Sequence, residues 1–414
     1  MERLVYRLSL VFIFSVAWEG LVRFPGIGTL AKLVGLTLGL CWAANAIMTG
    51  RIRRPDPFVF AAGAFVMWVA LSVFWSADET RSILHVFTWV QALGLVIVLW
   101  DVYRTRAAVR AGLQAYVLGA YVAVGGAIAN YFGSNPFYTH YDRFSLGDTN
   151  PDGFGFIIAL GIPVAWYLAS SVGTTRAQRM LRALNFVFIP AAFLGLALSG
   201  TRTAAVAAGV GMVFGLVSLT RLRPVARIAI LLALVYAFYA LLPVVAPLKS
   251  FQRLGTTATE ATQGDLNGRL DQWRQGLESF GQHPFIGVGT DMYRSVNTLD
   301  KVAHNSFVSI LVELGLIGFV LFGVVLATVV LHALGQPRWD RNFWLTVLVV
   351  WTLGASTLTW EYRKTTWVFF TLLVASAAVA RSERASRRAA SAELATASGA
   401  TGGDLAHAGI GGAR

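Results

Sequence analysis

The sequence predicts an all-α polytopic membrane protein of about twelve transmembrane helices with both termini in the cytoplasm. Three observations carry that expectation. Of its 414 residues 56% are hydrophobic and only 13% charged, far from the mix of a water-soluble domain. Apolar stretches of about 17 to 25 residues, each long enough to cross ~30 Å of hydrocarbon, recur along nearly the whole chain and leave no room for an ordinary soluble domain between them. Arginines fall in every second loop.

A net charge of +13 would fit a polyanionic partner such as nucleic acid if the cations shared a patch, but they are dispersed. They form short clusters: Arg3 and Arg7; Arg51, Arg53 and Arg54; Arg104, Arg106 and Arg110; Arg176, Arg179 and Arg182; Arg221, Arg223 and Arg227; Arg338 and Arg341; Arg381, Arg384, Arg387 and Arg388. Lys and Arg in short loops resist translocation, so these loops belong in the cytoplasm, the others face outward, and the helix number is even. The spans fall near 4–22, 28–48, 58–76, 82–100, 111–131, 153–171, 183–200, 203–220, 228–246, 306–334, 342–360 and 365–380.

The first span follows a short basic start, as a signal peptide would, but it has no small-residue cleavage site and runs straight into a second span, so it reads as a mature helix. Cys41, the one cysteine, lies in that second span as a small apolar residue and allows no internal disulfide. Residues 1–381 are expected to form the transmembrane domain. Residues 382–414 turn to Ala, Ser, Gly and Thr, too few large apolar groups to order themselves, and are expected to be a disordered cytoplasmic tail. The chain has no internal repeat of fixed spacing, which weighs against the inverted-repeat architecture of many secondary transporters.

Two outward loops are long enough to carry a site: 132–152, rich in Gly, Asn, Asp and Tyr, and 247–303. In the second, Leu270, Trp273, Leu277 and Phe280 recur at helical spacing, predicting an amphipathic helix over 268–280 that His283-Pro284 and Gly287 and Gly289 then end and turn. Ala207, Gly211 and Gly215 in the eighth span form a small-residue stripe for a close neighbour.

Arg202 lies at the tight outward turn between the seventh and eighth spans, where a cation works against the positive-inside rule. It reads either as an arginine reaching to lipid headgroups or a loop carboxylate, or as an anion clamp, since guanidinium offers planar bidentate donors matched to phosphate, beside hydroxyls of Ser199, Thr201 and Thr203. Arg269 opens the amphipathic helix and is either paired with Asp265 or Asp271 or the second arm of such a clamp. His304 stands where the long loop re-enters the membrane. It is either structural or a proton acceptor, a helix N-terminus favouring its neutral form. Arg143 and Asn150 are candidates to line a glycan or donor path, although a polar loop with an Asn-Pro turn explains them equally well. Asp78 and Glu79 read as a loop pair near Arg81.

Four segments in order then resemble the O-antigen ligase and polymerase superfamily. They are Trp75-Ser76-Ala77-Asp78; Arg143-Phe144 with Asp148-Thr149-Asn150-Pro151; Ser199-Gly200-Thr201-Arg202-Thr203-Ala204; and a long run. The run comprises Gly268-Arg269 with Trp273, His283-Pro284-Phe285-Ile286-Gly287-Val288-Gly289, Ala303-His304-Asn305-Ser306-Phe307, and Glu313-Leu314-Gly315-Leu316-Ile317-Gly318. The ordered set, over about residues 70 to 320, carries the resemblance.

The resemblance implies a GT-C-like helical bundle in the bacterial inner membrane, its site facing the periplasm. It implies a metal-independent, inverting glycosyltransferase without cofactor that takes a glycan from undecaprenyl diphosphate. Arg202 and Arg269 would bind the donor diphosphate, and His304 would be the catalytic base. The acceptor is expected to be a sugar hydroxyl of lipid A-core, as in an O-antigen ligase of lipopolysaccharide biosynthesis. The second reading is an O-antigen or exopolysaccharide polymerase. A third, from another class, is a lipid or polysaccharide transporter, which would place charged or broken-helix positions near mid-membrane.

Overall fold

The computed structural model describes residues 1–407 apart from 27, 140, 172–174, 222 and 256–267, and for 392–407 it describes the backbone alone. Fourteen α-helices follow one another in the described residues: α1 (Glu2–Val16), α2 (Leu30–Thr49), α3 (Pro57–Leu71), α4 (Glu79–Val102), α5 (Arg106–Phe132), α6 (Pro151–Ala169), α7 (Arg176–Ser199), α8 (Arg202–Leu219), α9 (Pro224–Val245), α10 (Lys249–Gly255), α11 (Arg269–Gln282), α12 (Ser306–Leu334), α13 (Arg338–Ala355) and α14 (Lys364–His407). Two two-residue strands, Arg23–Phe24 and Gly28–Thr29, pair antiparallel between α1 and α2.

The helices start where the side chains can satisfy free N–H groups. Asp56 before Pro57, Thr105, Asn150 before Pro151, Thr175 with Gln178 in a reciprocal box, and Asn305 all cap their helices. Among the described residues ten helices are long and apolar enough to cross a membrane, against the twelve expected, α3 being extended to Trp75 by the 3-10 turn that follows it. The other two expected spans are helical but fall short for physical reasons: α1 has 15 residues, and the 18-residue α13 carries Arg338, Asp340 and Arg341 in its first turn. Both pack lengthwise in the bundle, α1 against α2 and α5, α13 against α6, α8 and α12. The final helix continues to His407, through the segment whose composition predicted disorder.

Contacts sort the connections into two ends. At one, the Arg53 guanidinium stacks 3.6 Å over the Trp100 ring and its backbone N–H donates to Asp101, which also holds Arg104. There too Arg106 bridges Asp340 (2.8 Å) and Glu383 (3.0 Å), and Asp56 holds His332 (3.1 Å) and Arg381 (3.4 Å). At the other end Glu19 pairs with Lys364 (2.6 Å), Arg81 with Asp291 (2.7 Å), and the Ser82 hydroxyl donates to the Thr290 carbonyl. The first set gathers the arginine-rich loops and the second gathers the others, so the alternation of basic loops corresponds to alternating helix direction.

α6 is the axis of the packing. From Phe154 to Ala169 every residue is buried, as expected for a helix apolar all round. The small-residue stripe of α8 faces it, with Gly211 against Ile162 and Pro163 and Gly215 against Trp166. α9 lies outside, burying only Val245, as a lipid-facing helix would.

One feature departs from a continuous reading. Residue Gly315, inside α12, has φ 66° and ψ −169°, a conformation open essentially to glycine, and the helix breaks there. The extended run after α11 fills the break: Val288 and Gly289 N–H groups donate to the Val312 and Glu313 carbonyls, and Leu316 and Ile317 N–H groups donate to Pro284 and Phe285. The Trp68 indole caps the Leu314 carbonyl (3.0 Å). Broken backbone at membrane depth is tolerated when its polar groups are satisfied in this way.

Candidate active site

The four sequence segments that share the family resemblance meet at the end of the bundle away from the arginine-rich loops. The turn at Arg202 is built by Gly200, which ends α7 at φ 58° and lies so close to the Ser250 backbone of α10 that a side chain would collide. α10 braces this turn: Arg253 donates to the Gly200 carbonyl (2.8 Å), and Arg202 Nε donates to the Arg253 carbonyl (3.1 Å). Arg202 is half-buried at the start of α8.

Arg143 is a strut for the same turn. It is 6% exposed, and its guanidinium donates to the Ser199 carbonyl (2.7 Å), the Thr201 hydroxyl (3.0 Å) and the Asp152 carboxylate (2.6 Å). These bonds fasten the loop that carries Arg143 to α6 and to the turn between α7 and α8. Asn150 caps α6 through the Asp152 N–H (2.8 Å) and donates to the Tyr138 hydroxyl (3.0 Å). Both are therefore engaged in holding the loop.

Arg269 is the first residue of α11, after Gly268 in the left-handed region. Asp265, one of the two partners weighed for it, lies outside the described residues. α11 is seated by Trp273, whose indole donates to the Ala303 carbonyl (2.7 Å), and by Tyr293, which packs on Gly276 and donates to the Gln272 carbonyl (2.8 Å). The buried face is thus centred on Gln272 and Gly276, while Leu270 and Leu277 of the apolar stripe remain exposed. The stripe is amphipathic as read, but the covering residue sits beside it. Burial pulls the Arg269 guanidinium below its ordinary value, with nearby Asp152 opposing and Arg143 adding.

His304 follows Ala303, two residues before α12, at φ 48°. Asn305 beside it caps α12 through the Phe307 and Val308 N–H groups. Ser306 donates to the Leu358 carbonyl (2.9 Å) and accepts from the Trp360 N–H (2.8 Å). The imidazole is half-buried, and its Nδ1 is sealed from solvent without a hydrogen-bond partner among the described residues. Burial pushes its pKa down to about 4, and Arg269 is the next cause, with Lys301 and Arg294 adding and Asp152 opposing. Burial and an arginine, rather than the helix N-terminus, are what favour the neutral imidazole.

These electrostatic neighbours link the expected residues into one cluster. Asp152 lies close enough to influence Arg253, Arg269 and His304, and Arg202 adjoins Arg253. The Arg269 charge reaches His304, and Arg202 adjoins Arg253, which the Asp152 charge also reaches. Sequence reasoning passed over Arg253 and Asp152. Arg253, with Lys249 one turn earlier, is an outward cation of the kind that singled out Arg202, so the signal was present. Asp152 was hidden in an ordinary helix-start pattern.

A second polar cluster adjoins the first. Trp75 donates to the Ile286 carbonyl (3.1 Å), Asp78 caps α4 through the Arg81 N–H (3.0 Å), and Arg81 holds Asp291. Glu313 accepts from the Asp291 and Tyr293 N–H groups (2.9 and 3.1 Å), and Glu361, 4% exposed, lines the same small polar cavity with His85. Burial pushes the Glu361 carboxyl up to about 7, with the nearby Ser306 and Ser309 hydroxyls opposing, and one of its oxygens has no partner among the described residues. Among the described residues, no group of three or more metal-ligating side chains is present.

Residues 186–323, a third of the chain and the part that holds Arg202, Arg269 and His304, match the family model described as Wzy_C, O-antigen ligase. The chain is also 26% identical over 287 residues to the exopolysaccharide production protein ExoQ of Rhizobium meliloti (strain 1021), an alignment covering 64% of this chain and 63% of that one, less than two thirds of the relative's length. The family match thus falls on the segment that carries Arg202, Arg269 and His304, and over that segment the chain resembles the O-antigen ligases.

Proposed function

We propose that this protein is a glycosyltransferase of the inner membrane that takes a glycan from a polyprenyl diphosphate, at a site on the periplasmic face. The observation that carries the reading is the junction of a half-buried neutral histidine, His304, with Arg269 in a cluster that extends to Arg202. Arg202 and Arg269 would hold the diphosphate through charge-assisted bidentate bonds, and Arg253 is placed to help. The acceptor hydroxyl attacks the anomeric carbon, His304 takes the hydroxyl proton, and the bond from that carbon to the phosphate oxygen breaks, leaving the diphosphate on its lipid. A single displacement inverts the anomeric configuration. The arginines supply the positive charge that stabilises the leaving group, a role a metal ion fills in other enzymes.

Two readings of the acceptor differ. The family description, O-antigen ligase, fits our reading of lipid A-core as acceptor, whereas the relative named for exopolysaccharide production favours a polymerase, in which the acceptor is another lipid-linked glycan. A transporter would use a broken helix to expose a pathway, but the break at Gly315 is closed by backbone hydrogen bonds to 284–289.

The deciding experiment supplies the purified protein in nanodiscs with a polyprenyl-diphosphate glycan and separate acceptors. Product should form, and Arg202→Ala, Arg269→Ala and His304→Ala should each abolish it while the protein stays folded. Full activity of these variants would refute the assignment. In cells lacking the gene, unlinked long polymer left on its carrier identifies a ligase, and loss of a separate exopolysaccharide identifies a polymerase.

A further inference from the structure

At the arginine-rich end, on the opposite end of the bundle from His304, a groove of about 660 Å³ opens between α1, α5 and α7. That volume lies in the range of sites for small ligands, ~300–1,000 Å³. We propose that this groove binds one anionic glycerophospholipid, its phosphate held by Arg110 and Arg182 and an acyl chain lying along α1 and α5.

The first support is the grading of polarity along the walls. α5 starts at this end with Arg106. Arg110 is therefore about 6 Å in, Gln114 about 12 Å and Leu118 about 18 Å, at ~1.5 Å per residue. α7 also starts at this end and presents Gln178 and Arg182 before Asn185, while α1 contributes only Leu10, Val11 and Phe14. One mouth is thus cationic and the deeper wall is apolar, the arrangement of an amphiphile with its head at the membrane surface.

The second support is the state of the polar groups. Other arginines at this end are anchored: Arg53 by carbonyls and the Trp100 ring, Arg104 and Arg106 by carboxylates. Arg110 reaches the Tyr167 hydroxyl but its Nε is buried with no hydrogen-bond partner among the described residues, and Arg182 makes a distant contact, 5.9 Å, over the Phe186 ring. Among the described residues no carboxylate lines the groove. The deeper amides do not compete for the head, because Gln114 and Asn185 bond each other reciprocally (3.1 and 2.9 Å). Two guanidinium groups beside hydrocarbon are costly unless an anion answers them, and a phosphate diester matches their planar donors. A soluble phosphate would leave the apolar wall facing water.

Native mass spectrometry of the whole protein, extracted from mixed vesicles of phosphatidylglycerol and phosphatidylcholine, tests the site. The expected result is one retained phosphatidylglycerol per chain, at least tenfold in excess over phosphatidylcholine. The double substitution Arg110→Gln with Arg182→Gln should reduce retention to the phosphatidylcholine level. Ala111→Trp, which fills the groove and keeps both arginines, should do the same, with thermal unfolding confirming that the chain is folded. Equal retention of the two lipids by the unaltered protein overturns the proposal whatever the variants do. So does retention that survives Ala111→Trp, or displacement of the lipid by equimolar inorganic phosphate or polyprenyl phosphate.

Discussion

The charge environment of His304 makes a prediction that separates a working base from a merely buried ring. Its pKa stands at about 4 against an ordinary 6.5, lowered first by burial and next by Arg269, with Asp152 opposing. In the free protein the imidazole is therefore neutral, and able to accept a proton, down to about pH 4. Replacing Arg269 by Gln removes one lowering charge and leaves the burial. The pKa should rise, but by less than the full 2.5 units between the two values, each unit corresponding to about 1.4 kcal/mol between the protonation states. Asp152→Asn should move it the other way.

Ring acylation by diethyl pyrocarbonate, which requires neutral imidazole, measures this residue by residue when the peptide containing His304 is followed by mass spectrometry across pH 3 to 8. A midpoint near 6.5 in the unaltered protein, or no movement in Arg269→Gln, would refute the reasoning. The same logic extends to turnover. On the proposed function, a bound diphosphate would oppose the Arg269 charge and raise the His304 pKa, making it a stronger base only when the donor is present. The acid limb of kcat should then lie at higher pH than the acid limb of kcat/KM, since the first reports the loaded site and the second the free protein. Coincident limbs would show that donor charge does not reach His304.

Three further outcomes follow from the packing. Gly315→Ala forces a side chain into a glycine-only backbone region against the Phe285 carbonyl. It should cost roughly 1–3 kcal/mol or more, seen as a lowered Tm in detergent, and an unchanged Tm would remove the break from the account. Glu361, at about 7 in the folded chain against an ordinary 4.5, binds a proton more tightly when folded. Its contribution is complete below pH 4.5 and is lost as pH rises through about 7, by about 3 kcal/mol, so Glu361→Gln should flatten the Tm profile between pH 5 and 8. Arg143→Met strands Asp152 and the Ser199 carbonyl and should destabilise by roughly 3–5 kcal/mol, whereas a residue that only lines a path would leave unfolding unaltered.

Much of the fold was legible because a bilayer imposes length and polarity on each span and caps mark the starts. Asp56-Pro57 and Thr175 with Gln178 begin helices as their chemistry suggests. The break in α12 was not legible, since residues 306–334 are apolar on both sides of Gly315 and the partner that satisfies the broken backbone comes from another segment. At the site, outward cations and the motif pattern pointed to Arg202, Arg269 and His304, but motif membership did not distinguish a side chain facing a ligand from one supporting a turn. Arg143 shares the resemblance and is a strut, because Ser199, Thr201 and Asp152 occupy its donors. Periodicity found the stripe of α11 but not its orientation, which Tyr293 sets by packing on Gly276.

The break in α12 also explains how Arg269 and His304, far apart in sequence, keep one geometry. The segment between them is fixed to the helix that follows it. Residues 284–289 bond across the break, and the Glu313 carboxylate accepts from the Asp291 and Tyr293 N–H groups. Tyr293 and Ala303 then hold α11 through Gln272 and Trp273. Arg269 and His304 are thereby carried by one pinned unit, while Arg202 and Arg253 belong to the turn braced by α10. On the proposed function, a diphosphate held by Arg202 and Arg269 would join these two units beside Asp152. Loosening the pin, as Glu313→Ala would by freeing two N–H groups, should disturb the spacing of His304 from Arg269 without touching either side chain. Loss of turnover at preserved donor binding is the expected signature, because binding tolerates a small displacement that proton transfer does not.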